Sequence, residues 1–264
     1  MTRRVLAVTA LCVAVLAACS TTSGAHGTTE LTVFGAASLK TALEAVTSAY
    51  GTANPRTIIT VSTDSSAALE TQIEQGAPAD VFLSADTTNP RKLVDGGFAS
   101  REPVNFAGNK LTIIVPADNP AGIATPADLA KDGLRIIAAG DEVPITTYAA
   151  QLVRNVAAEP GAPAEFAAAY ADNVASKEDS VSGVVSKVEL GEGDAGIVYV
   201  TDATAADGVE SVTVPDAVNV PATYAGVVVG ASSNQEAAGA FLRWLAGPDG
   251  QAILSDFGFQ PPPA

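Results

Sequence analysis

Two serines stand where extended apolar runs give way to helical patterns. Ser38 follows "TVFGAA", and Ser66 follows "ITVSTDS". Serine is a preferred helix N-cap, and capping alone explains either one taken singly. Taken together they point further. Both follow strands that would be neighbours in one parallel sheet, so both would lie at its carboxyl edge, where open α/β proteins place ligands. Helix N-termini there offer free N–H groups and a partial positive end, and serine adds a hydroxyl donor. Gly35, Ala36 and Ala37 would leave room for an anion to reach the backbone. The corner is one for holding an oxyanion with neutral dipoles. Such a donor set has no acceptor for a proton and so favours a fully deprotonated anion.

Other chemistries lack their parts. The cysteines are Cys12 and Cys19, and the one histidine is His26 within "STTSGAHGTT", a stretch that reads as a tether. Beyond that stretch the chain has no thiol nucleophile, no disulfide and no imidazole, so Ser-His and Cys-His catalysis and the usual zinc sites are excluded. A serine hydrolase would need a Ser-Lys pair. Carboxylates are numerous, and pairs such as Asp141–Glu142 and Glu178–Asp179 read as solvated faces or helix caps. "GEGDAG" (191–196) matches a dinucleotide-binding fingerprint in letters but follows a helix and precedes a strand, the reverse of what that motif needs. It reads as a glycine-rich turn.

The elements that must position the serines alternate. Strands are expected at Leu31–Phe34, Thr57–Ser62, Ala79–Asp86, Lys110–Pro116, Leu134–Gly140 and Ala195–Val200, with two late strands in "VESVTVP" and "TYAGVVVGA". Helices are expected after Ser38 and Ser66, before Gly96-Gly97, and over Pro144–Val156, Pro163–Tyr170 and Val181–Leu190. A terminal amphipathic helix carries Phe241 and Trp244 on its apolar face, and a short helix over Ala252–Phe257 follows it. Trp244 is expected in the core. The fold class is α/β, with two βα-rich groups in series forming two lobes, each a mainly parallel sheet flanked by helices.

The N-terminus has the layout of an export signal. Arg3 and Arg4 precede a 14-residue, almost wholly apolar run, Val5–Ala18, too short to span a bilayer comfortably. "LAAC" ending at Cys19 resembles the bacterial lipobox, in which the cysteine is acylated; the plainer reading is an ordinary signal with a chance cysteine. Residues 1–19 are thus expected to be a lipoprotein signal and 20–29 a tether. Loss of Arg3 and Arg4 leaves 12 basic against 29 acidic residues, a balance of −17. Such a chain repels nucleic acid, and its acidity is otherwise a matter of solubility.

Five blocks, "TVFGAASL", "DSSAALETQIEQGAPADVFLSAD", "GDEVP", "EDSVSGVV" and "GDAGIVYVTDA", resemble the periplasmic molybdate-binding proteins that feed ABC transporters. The resemblance runs from Leu31 to Phe259. It implies the two-lobed type II periplasmic-binding fold, no enzymatic activity and no cofactor. It assigns oxygen-holding roles to Ser38 and Ser66 through hydroxyl and N–H, to Ile145 and Val181 through backbone N–H at helix starts, and to Tyr199 through its hydroxyl. By composition alone Tyr199 reads rather as a buried strand aromatic. The metal would be bound only through its oxygens. Lobe 1 would comprise 30–112 plus 217–260, and lobe 2 residues 113–216. The implied partners are molybdate, with tungstate as an equal ligand, an ABC permease, and the membrane through the lipid anchor, with the protein a monomer outside the cell membrane. The alternatives are the same fold binding sulfate or phosphate, an exported serine hydrolase, and a structural lipoprotein. Two departures from the family pattern stand out. Ile145 and Thr146 follow "VP" where many members have alanine and glycine, in a segment about one residue shorter. Asp64 precedes Ser66 by two residues and must point away from a dianion.

Overall fold

The computed structural model describes residues 27–263; Cys12, Cys19, His26 and the export signal lie outside them. Two five-stranded sheets organise the chain. The first contains β1 (Thr29–Ala36), β2 (Thr57–Asp64), β3 (Val81–Ser84), β4 (Val104–Asn109) and β10 (Ala222–Val228), in the order β2-β1-β3-β10-β4. The second contains β5 (Leu111–Pro116), β6 (Ile136–Ala139), β7 (Val174–Glu178), β8 (Ala195–Tyr199) and β9 (Val209–Val212), in the order β7-β6-β8-β5-β9.

The sheets are built alike. In each, three strands pair in parallel and the fourth position, β10 or β5, runs against both neighbours. Each reversed strand is the one that has just crossed from the other lobe. The chain leaves the first sheet after Asn109, and Leu111 already pairs with Tyr199 in the second. The chain passes between the two sheets at Lys110. Asn219, on the returning segment, clasps Leu111 from both sides: its Oδ1 accepts the Leu111 N–H at 3.0 Å and its Nδ2 donates to the Leu111 carbonyl at 2.8 Å. The two crossings are thus tied side by side.

Helices cover the sheets for the periodic reasons read from the sequence. In α1 (Lys40–Ala53), Ala42, Leu43, Val46 and Tyr50 are buried, the spacing of one helix face. Tyr50 meets Phe241 and Trp244 of α8 (Gln235–Ala246) edge-on, both at 5.1 Å between ring centres, which places Trp244 in the packing as expected. Gly35 serves this packing rather than an anion. A Cβ there would lie 2.4 Å from Leu43 Cδ1, so the glycine lets α1 sit close on β1.

The remaining helices are α2 (Ser66–Glu74), α3 (Thr88–Asp95), α4 (Pro144–Ala157), α5 (Phe166–Asp172), α6 (Val181–Glu189), α7 (Val200–Ala205) and α9 (Pro248–Asp256). α3 closes as read, with Gly97 at φ +78° and the Phe98 N–H returning to the Leu93 carbonyl at 2.7 Å. "GEGDAG" is the turn from α6 into β8, and Gly191 takes φ +71°. Three elements had no expectation. β4 ("VNFAGN") and β7 ("VASKE") are short and poor in β-branched residues, and pairing rather than propensity makes them strands. α7 begins where β8 was expected to continue, because the Asp202 carboxylate accepts the Tyr199 N–H at 3.1 Å and ends the strand. Among the described residues no helix is long and apolar enough to cross a membrane.

Candidate functional site

The capping explanation fails for both serines. Ser38 lies in a 3-10 turn (Ala37–Leu39) ahead of α1, and no side chain caps either helix there. Ser65, not Ser66, caps α2, its Oγ accepting the Ala68 N–H at 3.2 Å. Ser66 is the first residue inside the helix and is almost fully buried, 1% exposed.

Both serines face one small cavity between the lobes. Ala36, Ala37, Ser38, Ser65, Ser66 and Ala85 line it from the first lobe, and Val143, Pro144, Ile145, Val181 and Tyr199 from the second. All five residues named from the sequence are there. Its volume is about 10 Å³, room for about one water-sized group and far below the ~300–1,000 Å³ of sites for larger organic ligands. No lining residue is charged.

The donors are what helix starts leave over. The first N–H groups of a helix have no partner within it. Ser66 is the first residue of α2, and Val181 is the first of α6 behind its cap Ser180, whose Oγ accepts from Gly183. In α4 the first residue is Pro144, which has no N–H, so Ile145 supplies the first donor. The neighbouring groups are already used: Val143 donates to the Gly140 carbonyl and Thr146 to that of Val143. The Thr146 hydroxyl also donates, to the Gly140 carbonyl at 2.7 Å, and so holds the first turn of α4 against the end of β6. The Ile145-Thr146 departure thus keeps the helix start in place.

Hydroxyls complete the set. Ser66 Oγ accepts the Ala85 N–H at 3.1 Å, which leaves its own proton to donate. Ser38 Oγ lies 2.9 Å from the Tyr224 hydroxyl. Tyr199 is 1% exposed, and its hydroxyl is the one buried side-chain polar atom among the described residues without a partner. Burial holds its pKa well above the ordinary tyrosine value, so it is a proton donor at neutral pH. An unpaired buried hydroxyl costs about 1–3 kcal/mol, a cost that a ligand oxygen would remove.

Asp64 does not line the cavity. Its carboxylate accepts the Ser65 N–H at 2.7 Å and borders a separate outer groove with Asp141, Glu142 and Asp179.

The family description of bacterial extracellular solute-binding proteins matches residues 31–260. The chain belongs to this family. It is 34% identical over 263 residues to the molybdate-binding protein ModA of Mycobacterium tuberculosis, covering 97% of this chain and 96% of that one. The fold is shared with the periplasmic molybdate-binding protein of Azotobacter vinelandii, at 24% identity and a TM-score of 0.74 over 88% of this chain and all of that one. It is shared equally with the sulfate-binding protein SubI of Mycobacterium tuberculosis, at 22% identity and a TM-score of 0.78 over 88% and 87% of the two chains.

This solute-binding protein is not an enzyme. The described residues do hold a Ser-Lys contact, Lys187 Nζ to Ser176 Oγ at 2.9 Å, but Lys187 also pairs with Glu178 at 2.8 Å. The Glu178 hydrogen bond raises the lysine's pKa, the wrong direction for a general base. The signal the sequence did not give was Tyr224. Nothing in "ATYAGVV" marks its hydroxyl as reaching across the fold to Ser38.

Proposed function

We propose that this solute-binding protein captures molybdate between its lobes, takes tungstate equally, and delivers the anion to an ABC permease from a lipid anchor at Cys19. Ser38 and Ser66 would hold it from lobe 1 (30–112 plus 217–260), and Ile145, Val181 and Tyr199 from lobe 2 (113–216). The observation that carries this reading is the unpartnered Tyr199 hydroxyl, buried in an uncharged cavity onto which helix starts from both lobes converge. Charge-assisted hydrogen bonds contribute about 1.5–3 kcal/mol each, so five or more neutral donors suffice for a dianion without a lysine or arginine. The identity to molybdate-binding relatives over nearly the whole chain favours molybdate over sulfate.

The test is calorimetry with molybdate, tungstate, sulfate and phosphate. Molybdate and tungstate should bind with similar affinity, and sulfate and phosphate far more weakly. Sulfate binding with no molybdate heat would overturn the ligand assignment. For the anchor, metabolic labelling with a fatty acid should mark the parent and not Cys19→Ser; equal labelling would overturn it.

A further inference from the structure

The hydroxyl of Ser38 helps an anion only if its proton points into the cavity, and its neighbours decide that. Tyr224 lies on β10, fully buried, with its hydroxyl 2.9 Å from Ser38 Oγ and 3.4 Å from Asn109 Nδ2. Asn109 ends β4 and is 1% exposed. Its Oδ1 accepts the Lys110 N–H at 2.9 Å, which fixes the amide so that Nδ2 faces Tyr224 and the Thr201 hydroxyl, the latter at 2.9 Å. An amide nitrogen donates and does not accept. Among the described residues the Tyr224 proton therefore has one acceptor within reach, Ser38 Oγ. With that lone pair taken from behind, Ser38 keeps its own proton for the cavity. Ser66 is set in the same sense by the Ala85 N–H.

We propose that Tyr224 and Asn109 are positioning residues that fix Ser38 as a hydrogen-bond donor, and so set the site's preference for anions without a proton. The relay runs from Asn109 Nδ2 to the Tyr224 hydroxyl, to Ser38 Oγ, to the bound oxygen. This deepens the oxyanion reading above and rests on it. Without the Tyr224 hydroxyl, Ser38 can turn and accept, either spending its proton elsewhere or taking one from a protonated oxyanion.

The experiment is a double-mutant cycle on the full chain, read by calorimetry with molybdate and with phosphate at a pH where phosphate is mostly the monoprotonated dianion. Y224F alone should weaken molybdate by about tenfold or more, the scale of one hydrogen bond to a charged group. On the S38A background it should change the affinity by less than about threefold, because it acts through Ser38. Y224F should also narrow the molybdate-to-phosphate ratio, which a merely loosened pocket would leave unchanged. Parent affinity in Y224F, or the same loss with and without Ser38, would overturn the proposal. If the anion-free melting transition shows that Y224F does not fold, N109A replaces it in the same cycle with the same two outcomes. If the parent binds sulfate and not molybdate, the ligand assignment fails while the cycle is run with sulfate, so the two failures stay separate.

Discussion

The two lobes furnish the cavity differently. The first lobe offers hydroxyls that are already engaged: Ser38 by Tyr224, and Ser66 by the Ala85 N–H. The second offers backbone donors under apolar side chains, Ile145 and Val181, and one hydroxyl, Tyr199, that is engaged by nothing. On the proposed function, one half is set before an anion arrives, and the other would be completed only by it. The lobe with satisfied donors fixes geometry, and the lobe with an unsatisfied one gains from closing on a ligand.

This contrast orders the expected effects of substitution. The largest belong to the first lobe. S66A would remove a proposed ligand donor and also strand the buried Ala85 N–H. Calorimetry should show molybdate weakened about 10- to 100-fold, and thermal unfolding without anion should show a loss of about 1–3 kcal/mol. A Ser66→Ala protein as stable as the parent would break the contrast.

Y199F should weaken molybdate by about tenfold, yet its anion-free melting temperature should equal or exceed the parent's, because it deletes an orphan hydroxyl rather than a satisfied one. A drop in anion-free stability matching that of S66A would mean the two lobes are not different in kind.

The backbone donors allow a sharper test. Proline is tolerated at a helix's first position, and Ser180 before Val181 is extended, at φ −153° and ψ 163°, as a residue preceding proline must be. V181P therefore removes one N–H without breaking α6. We expect about a tenfold loss of affinity from V181P and less than about threefold from V181A. Equal losses would show that the side chain, not the N–H, matters.

A separate effect, on stability rather than on anion binding, concerns pH. Burial pushes the Asp202 carboxyl up to about 7, the hydrogen bond from the Tyr199 N–H opposing the shift. The folded protein thus holds a proton that the unfolded chain, near ~4 for aspartate, has released. Stability should fall as pH rises from about 4 through 7. D202N should melt higher than the parent at pH 8 and close to it at pH 5, flattening the profile. An unchanged slope would mean that Asp202 does not titrate in this range.

Local chemistry made the two serines readable, whereas Ile145, Val181 and Tyr199 were named only through the family resemblance. Small residues and serines at strand-to-helix corners signal free donors, and the proline before Ile145 marks a helix start. Which serine would cap α2 was not readable, because Ser65 and Ser66 are adjacent and only helix phase separates them. Tyr224 was not readable either, because its partner is 186 residues away and its strand reads as plain core. The fold followed the same division. Strongly periodic helices such as α1 and α8 stood out, whereas β4 and β7 exist because a sheet edge accepts them. The exchange of reversed strands between the sheets is a property of the whole chain.

A crystal structure of the molybdate complex tests most directly whether neutral donors alone hold the dianion. It should place the four oxygens within hydrogen-bond distance of the Ser38 and Ser66 hydroxyls, the Ile145 and Val181 N–H groups and the Tyr199 hydroxyl, with no cationic side chain in contact. An anion found in another groove, or clasped by a lysine or arginine, would contradict the proposed site.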